Sequence, residues 1–347
     1  MKQKTTTVLA TLVVAVFFLY NCSKKGTEGD TTQPTTTILS LPATPYNYNV
    51  GFPQYMAQAL AAQDNTPANN PITNDGATLG RVLFYDKVLS KNNTISCASC
   101  HKQEAGFSDN AIKSLGFAGG MTARHSMPVL NVRFYQSGRM FWDERAATLE
   151  EQVLMPIQDQ TEMGLTLTEL VSKVGGQSYY PALFQKAFGS TEVNADKISK
   201  ALSQFLRSIV TYQSKYDRVK MGLETFTAEE AAGEQLFLTA GPAPCASCHR
   251  PPMFLTSNPA APFALQDPND RGINNQNRFK SSTLRNIAQT TPLFHNGSVP
   301  TLEAMLNSNI PAHGVRPEDR GRILAFMRTL TDNTVATDVR FTDPFTK

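Results

Sequence analysis

The sequence predicts a mainly α-helical protein built from two related modules, and three observations carry that prediction. A Cys-x-x-Cys-His pentapeptide occurs twice, at residues 97–101 and 245–249. Each copy follows a helical stretch and a short loop. The strict apolar–polar alternation of strands is scarce along the whole chain.

In chain order, the first element does not belong to the fold. Met1-Lys2-Gln3-Lys4 is basic, and the apolar stretch from Val8 to Tyr20 is too short to cross a bilayer comfortably. It ends at Cys22, which resembles the lipidated cysteine of a bacterial lipoprotein signal. Residues 1–21 are therefore expected to be a signal peptide of that type, with Cys22 as the lipid anchor. Tyr20 and Asn21 are bulkier than the small residues usual there, so an ordinary secretory signal cut elsewhere is the alternative. On either account the chain is expected to be exported and periplasmic. Any anchor would be lipid alone, because no later segment approaches the roughly 18 consecutive apolar residues of a membrane helix. Residues 22–45, rich in Thr, Pro, Gly and Ser, predict a flexible tether.

Helical signals follow. Residues 78–85 predict a helix, and a loop of Ser and Asn leads from it into the first pentapeptide. Further helices are expected at 148–154, 168–174, 180–188 and 195–214. The last carries Ile198, Leu202, Phe205 and Ile209 at the spacing of one buried face. Ahead of the second pentapeptide, Thr227 is the N-cap expected for a helix over 228–238, with Glu230 at the capping-box position. Residues 301–307 and 317–331 complete the set. Two domains are expected, an N-terminal one over 46–220 and a C-terminal one over 221–347, each long enough to bury a core.

The cysteines sharpen this outline. There are five, and with Cys22 set aside the remaining four, Cys97, Cys100, Cys245 and Cys248, all belong to the two pentapeptides. Cys-x-x-Cys-His is the attachment pattern of c-type haem. The two thiols add across the two vinyl groups of one porphyrin, and the next residue, His101 or His249, reaches the iron. A thiol redox pair, half a zinc site or structural disulfides would each leave the repeated histidine unexplained. Two c-type haems in two cytochrome c-like modules are the expectation. A net charge of +3 over 32 basic and 29 acidic residues gives no basic stripe, so a nucleic-acid surface is not expected.

The stretch Phe141-Trp142-Asp143-Glu144-Arg145-Ala146, then Leu149-Glu150-Glu151-Gln152, Pro156 and Glu162-Met163-Gly164, resembles the bacterial di-haem cytochrome c peroxidases. So does Thr283-Leu284-Arg285-Asn286 followed by residues 290–297. The family includes the di-haem enzyme that oxidises tryptophans during methylamine dehydrogenase maturation. The resemblance runs from about residue 75 to the end. It implies that His101 is the proximal ligand of a peroxidatic haem and His249 that of an electron-accepting haem. It implies that Glu162 is the distal acid–base group, Gln152 a polar neighbour of bound peroxide, and Trp142 a π-system between the haems. Arg145 and Arg285 are candidates to pair with haem propionates, the alternative being ordinary salt bridges. His295 matches a family histidine near the second haem. Hydrogen peroxide and a small electron donor, a cytochrome c or a cupredoxin, are the implied partners. A homodimer is common in the family.

Three departures from the family pattern bear on mechanism. A histidine that caps the first haem in the resting state is replaced at about its position by Phe117, which implies an open first site. His125 stands where the family has an asparagine associated with an interdomain calcium. That weakens the case for Ca2+, which prefers oxygen ligands. The position of the second haem's far-side ligand, fourteen residues beyond His295, is Asn309. Met305 is the expected ligand instead, with His313 nearby and Met327 read as core. Two other functions stay open: oxidation of a protein or organic substrate through the same haems, and simple electron carriage.

Overall fold

A computed structural model describes residues 38–239, 245–255, 269–308, 310 and 313–346. Cys22, most of the predicted tether and Asn309 lie outside the described residues. The first described segment, β1 (Ile38–Leu39), pairs antiparallel with β2 (Phe345–Thr346) at the other end of the chain. The Ser40 N–H extends this clasp to the Pro344 carbonyl at 2.7 Å. The end of the stretch read as tether is thus tied down, because Leu39 and Leu41 are apolar and pack on the first core.

The rest is helical. The first module contains α1 (Gln54–Gln63), α2 (Asn74–Tyr85), the single turn α3 (Cys97–Cys100), α4 (Leu149–Gln152), α5 (Met155–Gln158), α6 (Leu167–Gly175), α7 (Tyr180–Phe188) and α8 (Ala195–Ser208). The second contains α9 (Lys215–Lys220), α10 (Ala228–Thr239), α11 (Leu302–Asn307) and α12 (Arg320–Arg328). The helix expected over 195–214 stops six residues early, for a local reason. Ser214 caps a new helix, exchanging hydrogen bonds with Asp217 in a capping box. Between the two helices, Ile209 and Thr211 bond to the backbone and side chain of Asn131 instead.

Both modules use the same packing device. In the first, Gly80 of α2 lies so close to α8 that a Cβ there would stand 2.0 Å from the Ala201 carbonyl oxygen and 2.7 Å from Phe205 Cβ. In the second, a Cβ on Gly233 of α10 would stand 2.0 Å from the Arg322 carbonyl oxygen of α12 and 2.8 Å from Phe326 Cβ. One turn later, Phe84 meets Phe205 at 5.3 Å and 57°, and Phe237 meets Phe326 at 5.2 Å and 55°. The correspondence continues. Phe107 and Phe254 both take positive φ after their pentapeptides, and Asn131 and Asn286 both take positive φ before bonding the chain beyond α8 and α12. These are two copies of one cytochrome c-like unit.

Each copy has its own apolar core, the first around Leu79, Leu83, Leu170 and Phe205, the second around Phe237, Met305, Phe326 and Leu330. A small third cluster joins them, with Met56, Phe134 and Val210 packed alongside Met253 and Leu255. Val335 and Phe341, beyond the last helix, return to the first core. Among the described residues no helix is long and apolar enough to cross a membrane.

Candidate active site

The first pentapeptide forms the one-turn helix α3, closed by a capping box between Ser96 and Ser99. The His101 N–H bonds to the Cys97 carbonyl at 2.9 Å, so the histidine follows directly on the thiol turn. Its Nδ1 faces the Phe107 carbonyl at 3.2 Å, which fixes the ring and would leave Nε2 as the nitrogen for a metal. Burial pushes the imidazole below its ordinary pKa, against the pull of the Phe107 carbonyl. The neutral ring is the form that binds iron.

Cys97, Cys100 and His101 open onto a cavity of about 630 Å³, within the usual range for cofactor sites. Burial pushes the Cys97 thiol up to about 12 and the Cys100 thiol to about 11. Such thiols are poor nucleophiles for disulfide exchange, and none of the four described cysteines is in a disulfide. The cavity, the paired thiols and the neutral imidazole fit a covalently bound haem.

Glu162 lines the same cavity, together with Gln152 from the end of α4 and Pro156 from α5. It sits in a turn held by Asp159, whose carboxylate accepts the Glu162 N–H at 3.1 Å and whose carbonyl accepts the Gly164 N–H at 2.8 Å. Phe117 fastens this turn from outside. Its N–H bonds to the Glu162 carbonyl at 2.9 Å, and its ring lies where any side chain on Gly164 would have to go. Burial raises the Glu162 carboxyl above the ordinary carboxylate range, Asp159 adds to this, and Arg145 opposes it.

Trp142 lines the cavity as well, its indole N–H bonded to the His125 carbonyl at 2.8 Å. Its ring meets His295 edge-on at 6.4 Å. His295, expected near the second haem, also lines this first cavity and stacks on Phe279 at 3.5 Å. His125 holds the Ala111 carbonyl through Nδ1 at 3.0 Å and faces Ser108 Oγ through Nε2 at 3.3 Å, so both its ring nitrogens are engaged.

The two arginines differ. Arg145 is exposed at the cavity rim, paired with Asp143 at 2.9 Å and stacked on Phe141 at 3.6 Å. Arg285 does not line this cavity and is fully buried. It grips Asp217 through both terminal nitrogens at 2.7 and 2.9 Å and donates from Nε to the Pro252 carbonyl at 2.8 Å. Arg285 thus makes the kind of salt bridge that stood as the alternative to a haem propionate, here a buried one.

Two cavity residues escaped sequence reasoning. Arg124 pairs with Asp143 at 2.8 Å and with Asp270 at 2.6 Å, tying the two modules together. Lys280 is buried, lies over the Tyr135 ring at 3.8 Å, and donates its backbone N–H to the Trp142 carbonyl at 2.7 Å. Burial drives its ammonium down to about 7, with Glu144 pulling the other way. No local signal marks either one, since a lone Lys or Arg is by default a surface residue.

In the second module the His249 N–H bonds to the Cys245 carbonyl at 2.8 Å, and His249 Nδ1 faces Ser281 Oγ at 3.3 Å. Burial, and then the neighbouring His313, push this imidazole down to about 4. Met305 is buried in the second core on α11. Met327 is core, as expected.

Two cytochrome c-like modules, each presenting two thiols and a half-buried neutral imidazole, define a di-haem c-type cytochrome. Residues 74–225 match the di-haem cytochrome c peroxidase family, and residues 279–312 match the RoxA-like, cytochrome c-like family. The chain belongs to the di-haem cytochrome c peroxidase family, which includes the MauG relatives. It is 35% identical over 282 residues to the cytochrome c551 peroxidase of Nitrosomonas europaea, covering 76% of this chain and 82% of that one. It is 32% identical over 289 residues to the methylamine utilization protein MauG of Methylorubrum extorquens, covering 76% and 80%. A solved MauG-like protein associated with microbial copper homeostasis superposes with a TM-score of 0.74 at 28% identity, covering 86% of this chain and 99% of that one.

Proposed function

We propose that this chain reduces hydrogen peroxide to water in its first module, using electrons delivered singly by a small cytochrome c or cupredoxin. The observation that carries the reading is Glu162, a half-buried carboxyl of raised proton affinity in the cavity that also holds Cys97, Cys100 and His101. Bound there, a haem would supply the iron that holds the peroxide and the electrons that split it. The protein's own part is proton handling and placement. The Glu162 carboxylate accepts the proton of the near peroxide oxygen and returns it to the far one as that oxygen departs as water; two protons from solvent and the two donor electrons turn the near oxygen into the second water. The Gln152 amide donates a hydrogen bond that orients the peroxide. Electron entry belongs to the second module in this reading, and the ring contact between Trp142 and His295 supports a route between the modules. Export and lipidation at Cys22 complete the proposal, and a Cys22→Ser chain should then appear in the soluble periplasmic fraction.

Peroxide consumption with a reduced donor cytochrome tests the chemistry. Glu162→Gln should retain both haems and lose turnover by about 10²–10⁴-fold. Unimpaired turnover in that variant removes the role of Glu162. A wild-type protein that takes up electrons without consuming peroxide is a carrier.

One observation favours a second reading, oxidation of a protein or organic substrate. Phe117, at about the position of the family's capping histidine, packs on Gly164 and offers no ligand to iron. An open first site needs no prior reduction, and the oxidised protein should show a high-spin EPR signal. Two low-spin signals would remove this reading.

A further inference from the structure

We infer that His313 is the far-side iron ligand of the second haem, which makes that centre bis-histidine; the inference rests on haem attachment at Cys245 and Cys248. The rings of His249 and His313 meet edge-on, with centres 6.4 Å apart and planes at 61°. Two imidazoles on opposite faces of one iron need about that spacing: each metal–nitrogen bond is about 2 Å, and each nitrogen lies about 1.2 Å from its ring centre. Both rings are held in place. His249 is anchored through Nδ1 by Ser281 at 3.3 Å, which leaves Nε2 for the metal. The His313 backbone N–H closes a turn onto the Ile310 carbonyl at 2.9 Å, and its ring meets Phe294 edge-on at 6.0 Å.

The internal repeat brings the His313 segment to the corresponding side of the second module. Phe141 and Phe294 occupy matching places, with φ of 70° and 69°, and each opens a turn closed by a bridge, Met140 to Ala146 and Leu293 to Val299. Thr148 and Thr301 then cap the helices that follow. In that register Met305 stands at the place of Gln152. Glu162, which faces the first haem cavity, is fourteen residues beyond Thr148, and His313 is twelve beyond Thr301. The segment that supplies the acid–base group in one module thus supplies a nitrogen ligand in the other. The function of the second centre follows. An axial imidazole in place of a thioether lowers the reduction potential, so this centre is a stronger reductant than a histidine–methionine port. It also has no open face for peroxide.

The test uses the full-length holoprotein, its haem content measured first. Two haems per chain are required; fewer would overturn the attachment reading itself, separately from the ligand. The oxidised wild type should show a low-spin EPR signal and a near-infrared circular dichroism band of bis-histidine type. It should lack the sulfur-to-iron charge-transfer band at the red edge of the visible spectrum. His313→Gly should convert that low-spin signal to high-spin while the first haem's spectrum is unchanged, and added imidazole should restore it. Met305→Leu should leave it intact. A thioether-type band in the wild type, or loss of the low-spin signal in Met305→Leu with His313→Gly unaffected, overturns the assignment. The wild-type spectrum decides the question even if His313→Gly fails to retain the second haem.

Discussion

Individual residues in this molecule are set by what surrounds them more than by their type. In the proposed reaction Glu162 must be ionised to accept a proton from peroxide, and burial followed by the charge of Asp159 keeps it protonated to higher pH than a free carboxylate. The sign is therefore fixed: activity falls as pH drops through a pKa above the ordinary value of about 4.3. The acid limb of kcat/KM should lie above that value and vanish in Glu162→Gln, and a limb unchanged in the variant would assign it to another group. Arg285 and Asp217 show the structural counterpart. Burial alone would raise the Asp217 carboxyl, but the Arg285 charge and hydrogen bonds from Arg285, Ser214 and Tyr55 hold it below the usual range. Both side chains are fully buried. Arg285→Met strands that carboxylate, at a cost of about 3–5 kcal/mol, read as a lowered denaturation midpoint. The sequence located Glu162 because it sits in a family motif. It could not locate the partner of Arg285, since Asp217 is far away in the chain and looks like any surface acid.

At the scale of elements, two glycines decide how each module closes. A helical Gly→Ala change ordinarily gains up to about 1 kcal/mol of propensity. At Gly80 and Gly233 the added methyl would stand 2.0 Å from a backbone carbonyl of the opposing helix, which cannot rotate aside. Overpacking by one methyl costs about 1–3 kcal/mol and more against rigid neighbours, so overlap outweighs propensity. Gly80→Ala should lower the unfolding temperature and the haem content of the first module, and Gly233→Ala those of the second, as followed by their separate spectra. A surface Gly→Ala control such as Gly321→Ala, where nothing lies within 4 Å, should do neither. The helices themselves were legible where their signals are local. The helix at Tyr180–Phe188 falls where expected, and Thr227 and Glu230 form the predicted capping box at 2.8 and 3.2 Å. The stop at Ser208 was not legible, because apolar spacing runs on through Ile209 and the chain leaves the helix to satisfy Asn131.

For the whole molecule, the modules are consecutive in sequence but not separable in space. The chain after α12 leaves the second core and returns to the first. Phe341 packs on Tyr48, Phe107 and Phe205 at 6.2–6.5 Å. The hydroxyls of Tyr48 and Tyr85 donate to the Arg340 and Phe341 carbonyls at 2.9 and 2.6 Å, and the Gln103 amide donates to Val335 at 2.8 Å. The clasp of β1 and β2 closes the same circuit. Nothing in the sequence of this tail announces it: two short apolar groups among Thr, Asp and Asn read as a loose end, and what orders them is a surface built some 250 residues earlier. Removing residues 335–347 should therefore injure the first module, not the one it adjoins in sequence. The deletion uncovers Phe107, whose carbonyl orients His101, and Phe205, which Phe84 meets across the α2–α8 contact. A truncated chain expressed with its haem-attachment machinery should keep the low-spin spectrum of the second centre. It should lose peroxide turnover and the spectrum of the first centre, with a fall in thermal midpoint confined to that module. If the second centre were lost and the first retained, the tail would belong to the domain that precedes it, and the packing of Phe341 on Tyr48, Phe107 and Phe205 would not be what holds the active site together.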